Sequence, residues 1–225
     1  MGTRCCRVFR PILVLVMVLE FGCTSESARS SDEGVILPPD SVPLAGGRFL
    51  KSRERIGEYA VHDEQVYCGE LGCGAPAMAN VDMSTFRVFR DGNYAMDGHA
   101  VYYPFSITCV DRSDCGVCYC DEYIVEGADV SSFEYIDNEY AKDSRNAYFR
   151  GNRIPGADPK SFRNISGPEH CFFAKDDRSV FMYADPLAGL DPRSFYVTQT
   201  DKGDVVLGDS SRAWRYEPPK TLTPL

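Results

Sequence analysis

The chain has one Trp, three His and no long apolar run. Its longest such stretch, Pro11 to Leu19, holds nine residues, whereas a membrane-spanning helix needs ~20. Basic residues are in deficit, with 24 Lys and Arg against 33 Asp and Glu and a net charge of −9. No Lys/Arg cluster is present either, which argues against a nucleic-acid partner, because phosphates call for clustered cations. The sequence also lacks a GxSxG elbow, an HExxH pair, a Walker loop and a dinucleotide fingerprint. No stretch has the closely spaced oxygen ligands of an EF-hand or a calcium-binding nonapeptide. His62, His99 and His170 fall in or beside turns and read as surface residues. The expectation is a protein with no catalytic residue, no metal and no cofactor.

What the chain does have is a repeat. One phrase begins at Tyr59, Tyr94, Tyr140, Phe173 and Val206, in steps of 35, 46, 33 and 33 residues. Its aromatic column is Tyr67, Tyr102, Tyr148, Phe181 and Trp214, and five residues before each lie His62, Asp97, Asp143, Asp176 and Asp209. A second phrase follows the first four copies and sets Asp82, Asp129, Asp158 and Asp191 four residues ahead of Phe86, Phe133, Phe162 and Phe195. Such a period marks a repeat architecture whose units must stack to bury their apolar faces. Both aromatic columns therefore read as repeat core, with a solvent-facing platform for sugars as the competing reading. The recurring Asp residues read as turn and cap formers, with calcium ligation as the alternative.

Within the third copy, Tyr140 to Lys142 and Ala147 to Arg150 are short aromatic segments around the polar stretch Asp143 to Asn146, a hairpin pattern. Asp158 before Pro159 predicts a single helical or β-turn over Asp158 to Phe162. The fold class expected is all-β with minor short helical turns: tandem short antiparallel hairpins stacked into one repeat domain. The strings YAKDSRNAYF and GADPKSF of the third copy resemble the DKNYY family of bacterial repeat proteins, from about Tyr59 to Tyr216. That resemblance implies a secreted or lipid-anchored protein of unknown biochemical function and supplies no catalytic residues.

The amino terminus reads as an export signal over residues 1–22: Arg4, Arg7 and Arg10, then the apolar run, then Gly22 before Cys23. It resembles a lipoprotein signal, with Cys23 as the lipid attachment site, although Glu20 stands where Leu is usual. Residues 23–48 read as a lipidated Cys followed by a flexible tether, and 49–225 as the repeat domain. Loss of the signal removes three Arg and one Glu and leaves a balance of −11. The expected location is the bacterial cell envelope, periplasm-facing or at the surface, anchored through lipid.

Seven cysteines remain as disulfide candidates: Cys68, Cys73, Cys109, Cys115, Cys118, Cys120 and Cys171. Cys68 and Cys73 flank a turn-like Gly-Glu-Leu-Gly stretch and are the first pairing expected. Four others crowd into an insertion, residues 104–122, where the period lengthens by about 13 residues; insertions in repeat proteins normally emerge as loops, often on the binding face. Disulfide stapling, a zinc site of four thiolates and redox chemistry at Cys115-Gly116-Val117-Cys118 compete there. The functional expectation is a noncatalytic envelope lipoprotein, a binding or structural module whose partner is an envelope protein or glycan. The alternatives are an envelope thiol-redox or metal-binding protein that uses the insertion, and a carbohydrate-binding surface protein.

Overall fold

The computed structural model describes residues 35–38, 46–112, 115–165, 167, 172–217 and 221–224. Residues 1–22, read above as a signal, lie outside the described residues, as do Cys23, His170 and Cys171. Among the described residues the structure is strand and turn, with one 3₁₀ turn at Val130–Ser132. The strands form five sheets, and each sheet carries one copy of the repeated phrase as a hairpin.

The third sheet shows the plan. Glu134–Asp137, Tyr140–Lys142, Ala147–Phe149 and Asn152–Arg153 run as an antiparallel meander in sequence order. Tyr140 pairs with Phe149 and Lys142 with Ala147, so Asp143 to Asn146 make the turn, closed by the Asp143 amide donating to the Asn146 carbonyl at 2.8 Å. The fourth and fifth sheets repeat this meander. The first sheet differs, because Val35–Ile36 adds to Glu54–Ile56 in parallel. Arg48–Phe49 in turn edges the second sheet, so part of the stretch read as tether joins the sheets.

Side chains alternate between the two faces of a strand, and here both faces are covered. Ala141 and Tyr148 pack toward the second sheet, whereas Tyr140, Ala147 and Phe149 pack toward the fourth. Four such cores join the five sheets in succession. The column residues Tyr102, Tyr148 and Phe181 and the phrase residues Phe86, Phe162 and Phe195 are buried; Phe133 and Trp214 are half-buried against the second and fourth cores. Tyr67 is half-buried because it points to the side where no described sheet precedes the first. Six of these nine rings are buried and none is exposed, which weighs against the sugar platform.

The recurring Asp pairs explain why the phrases keep their register. Asp143 Oδ1 accepts from the amides of Arg145 and Asn146 at 2.7 Å each. Its Oδ2 accepts from the Asp129 amide at 2.9 Å and the Tyr148 hydroxyl at 2.7 Å. Asp129 in turn caps the 3₁₀ turn, accepting from the Ser131 amide and the Ser132 hydroxyl, and Ser132 Oγ accepts from the Ser144 amide at 3.0 Å. The same circuit recurs with Asp82 and Asp97, Asp158 and Asp176, and Asp191 and Asp209. The Asp-Phe phrase thus partners the copy that follows it, and the last copy, which has no such phrase after it, is complete. In the first copy His62 replaces the acceptor, and the turn tightens to two residues, Asp63 and Glu64, both at positive φ.

One carboxyl group in the cores is less well served. Asp91 Oδ1 accepts from the Asn93 and Tyr94 amides at 3.1 and 3.0 Å, while its Oδ2 is enclosed without a partner among the described residues. Burial pushes Asp91 up to about 7 against the pull of those amides, and the Glu139 carboxylate adds to the rise. Tyr59, Tyr94, Tyr103 and Tyr135 also face its charge, and Glu139 is itself held by the Arg150 guanidinium.

Two predictions follow from these carboxyl groups. Burial tends to raise Asp143, yet the Asp129 amide, the Tyr148 hydroxyl and the turn amides outweigh it and hold the group below its ordinary range. Its contribution is therefore present above pH ~4 and lost as pH falls through the folded pKa. Asp143→Asn turns an acceptor into a donor facing donors and is expected to cost roughly 2–4 kcal/mol in urea unfolding at pH 7. Asp91 has the opposite sign: the folded state keeps a proton that the unfolded chain releases, so stability falls between pH ~4 and ~7 and is level above. Asp91→Asn should be more stable than the parent at pH 8 by roughly 2 kcal/mol, with a flatter pH dependence.

Candidate functional site: the stapled hairpin

The insertion is not a loop. It extends the second sheet's hairpin into two long strands, Val101–Arg112 and Cys115–Ile124. At the base, Tyr102 turns into the first core and Tyr103 into the second, while Phe105 lies over the backbone of Gly151 in the third repeat. Register shifts between Tyr102 and Ile107 mark a bulged stretch, which re-aims the distal half. Beyond it, Ile107 to Arg112 pair residue for residue with Cys120 to Cys115. Alternation of side chains here extends the strand pattern through the stretch read as a loop.

Three disulfides fasten this hairpin: Cys68 to Cys120, Cys73 to Cys115 and Cys109 to Cys118. The expected Cys68 to Cys73 bridge is not formed. Cys68 ends a strand whose neighbour in space is the hairpin, so each of the two cysteines reaches across rather than along its own loop. Cys115 and Cys118 bond to different partners, so the CxxC string is not one redox pair. All four thiols of the insertion are engaged in bridges, which leaves no tetrathiolate for zinc.

Hydrogen bonds run along the same seam. The Glu70 amide donates to the Cys118 carbonyl at 2.7 Å, and the Cys118 amide donates to Glu70 Oε2 at 2.8 Å. Gly69 pairs with Tyr119 as an isolated bridge. At φ +97°, and with the Cys118 carbonyl where a Cβ would stand, this position needs glycine. The Arg55 guanidinium donates to the Gly69 carbonyl, and Tyr123 Oη accepts from the Ala79 amide at 2.9 Å. The hairpin's second strand is thereby sealed to residues 69–79.

The other side of the hairpin is open. Ile107 is 51% exposed, and Cys109, Asp111 and Gly116 are exposed on its face, with Glu122 exposed at the bulge; Asp121, held by Thr108, lies on the opposite face, and Val117 and Cys120 are buried. Hydroxyls of Thr108 and Ser106 hold the Asp121 carboxylate below its ordinary range. The resulting surface is a rigid, acidic, two-stranded face with one apolar side chain and one accessible disulfide. Among the described residues no group of three or more His, Cys, Asp or Glu is arranged to hold a metal ion. A shallow cleft lies elsewhere, lined by Ser132, Glu134, Lys142, Ser144 and Lys160, but its Lys142 is engaged by Glu134 at 3.7 Å. Of the remaining sequence candidates, His99 is exposed in its hairpin turn, and His62 lies 3.3 Å from the Asp63 carboxylate.

Fold and carboxylate circuit together define a tandem β-repeat protein whose units are four- or five-stranded sheets, locked from the second onward by paired Asp turns. Residues 105–185 match the model of the DKNYY family, a stretch that runs from the hairpin through the third repeat to the start of the last strand of the fourth sheet. No curated protein and no solved structure matches the chain.

The bridges differ in what they close. Loops of 52 and 42 residues confine an unfolded chain by about 4 kcal/mol each, against roughly 2.6 kcal/mol for nine residues. Replacing Cys68 and Cys120 by Ala is therefore expected to destabilise the chain by about 4 kcal/mol, measured by denaturant unfolding against the parent. A loss below ~1 kcal/mol would mean that the hydrogen-bonded seam alone holds the hairpin.

Proposed function

We propose that this protein is a noncatalytic, lipid-anchored module of the bacterial cell envelope that uses the open face of the stapled hairpin to hold a protein or glycan partner. The observation that carries this reading is the covalent fixing of the one element that departs from the repeat. Three bridges on a 24-residue hairpin, Val101 to Ile124, make its face rigid before any partner arrives, which lowers the ordering cost of binding. Bridges of this density also fit an oxidising compartment, in keeping with an export signal and with lipid on Cys23. The DKNYY match brings no activity with it.

The test starts from protein purified out of its native envelope. Intact mass is expected to show a chain that begins at Cys23 and carries lipid; a chain starting elsewhere without lipid removes the anchor. Crosslinking in the envelope then compares the parent with Ile107→Ser/Asp111→Lys/Glu122→Lys, which leaves all six bridged cysteines in place. At least a tenfold drop in the crosslinked partner is expected. An unchanged partner set in a folded variant rules out this face as the contact.

A further inference from the structure

We propose that the Cys109 to Cys118 disulfide is a reversible thiol–disulfide exchange site, opened by a dithiol reductant while the other two bridges stay closed. This inference is independent of the partner-contact reading. It rests on how differently the three bridges are placed. Cys68 and Cys120 are 2% and 5% exposed, inside the first core. Cys73 and Cys115 are both half-buried. Cys109 alone among the six is exposed, with Cys118 half-buried beside it. An attacking sulfur must approach along the line of the bond it breaks, so accessibility of one end decides both rate and direction. That direction runs from the open face onto Cys109, with Cys118 as the leaving group.

The step balances as an ordinary exchange. A thiolate of the dithiol attacks Cys109 Sγ, the bond between Cys109 and Cys118 breaks, and Cys118 departs as a thiolate that takes up a proton. The reductant's second thiolate then attacks its own sulfur in the mixed disulfide and releases Cys109. Two electrons and two protons have moved to the protein, and the dithiol has become a disulfide. Exposed bridges are the ones that yield in this way, whereas enclosed ones resist.

The surrounding structure makes the opening local and reversible. Cys109 and Cys118 stand directly opposite each other, with Thr108 and Tyr119 paired on one side and Val110 and Val117 on the other. Their Cα atoms are 4.0 Å apart. Glu70 holds both the amide and the carbonyl of Cys118, so that residue keeps its place when its sulfur is free. The bridges to Cys73 and Cys68 leave from Cys115 and Cys120, on either side of Cys118, and keep the second strand sealed to the first repeat. Two thiols held face to face re-form their bond intramolecularly when an oxidant is present.

The experiment uses the oxidised full-length protein at neutral pH without denaturant. Free thiols are first blocked with N-ethylmaleimide, dithiothreitol is then added in steps, and new thiols are labelled with isotopically heavy reagent and mapped by peptide mass. Cys109 and Cys118 are expected to label together at a dithiothreitol concentration at least tenfold below that which labels the other four. Removing the reductant in air should restore the bridge. Opening of Cys73 to Cys115 first, or of all three bridges together, overturns the proposal. The variant Cys109→Ser/Cys118→Ser supplies the second measurement: its melting temperature should fall by no more than the about 5–10 °C that losing a nine-residue loop closure costs, and its other bridges should keep their resistance. If they become labile, the bridge is a staple of the fold and the proposal fails.

Discussion

Regularity from the second sheet to the fifth depends on one turn carboxylate, which in the third repeat satisfies four donors. In the third repeat, Asp143 ties its own turn through two amides, the preceding Asp-Phe phrase through the Asp129 amide, and the aromatic column through the Tyr148 hydroxyl. A hairpin of three-residue strands is marginal in water on its own. Here the turn, the neighbouring phrase and the core ring are set by a single side chain, so local geometry and core packing are fixed together. Charge-assisted bonds of this kind are stronger than neutral ones, and the amides they satisfy would otherwise be costly to bury. In the fourth repeat Phe181 takes the place of the tyrosine, and the remaining three bonds to Asp176 persist, so the backbone contacts are the essential part.

Stacking is the second level of order, and it is driven by the other tyrosine of the phrase. Tyr59 donates its hydroxyl to the Asn93 carbonyl of the second repeat, Tyr94 accepts from the Gly151 amide of the third, and Tyr140 donates to the Phe172 and Tyr183 carbonyls of the fourth. Each ring fills the core between two sheets while its polar tip fastens the next unit. This is what a large aromatic with one hydrogen-bonding end does best. It also explains why the phrase needs aromatic residues at both ends of the hairpin: one faces the preceding sheet and the other the following one.

The sequence made the repeats legible because two phrases with fixed spacing, Asp-x-x-x-Phe and Tyr-Ala-x-Asp, carry the turns and the core at once. Spacing in sequence hid which phrase serves which hairpin. Asp129 follows the second copy but bonds to Asp143 of the third, a partnership visible only once the chain is folded. The disulfide pattern was hidden for the same reason. Cys68 and Cys73 are close in sequence, yet the strand ending at Cys68 runs against the hairpin, and the nearest sulfurs in space belong to Cys120 and Cys115. The insertion reads as a loop in the sequence because its cysteines and Asp residues break the aromatic pattern of the other strands.

Position along the stack accounts for where the bridges fall. The second to fifth sheets each have an Asp-Phe phrase and a carboxylate turn, but the first has neither: His62 stands at the acceptor position and no Asp-Phe phrase precedes it. Its strand Gln65–Cys68 is held by pairing with Tyr59–His62 and by packing, with no side-chain carboxylate tying its turn to a neighbouring phrase. Two of the three disulfides, together with the bonds of Gly69 and Glu70, join this one incomplete repeat to its neighbour. Covalent closure thus replaces the missing carboxylate circuit at the one sheet without a described predecessor. The third bridge lies wholly within the hairpin and fastens no repeat to another, and this structural redundancy is what leaves it free for chemistry.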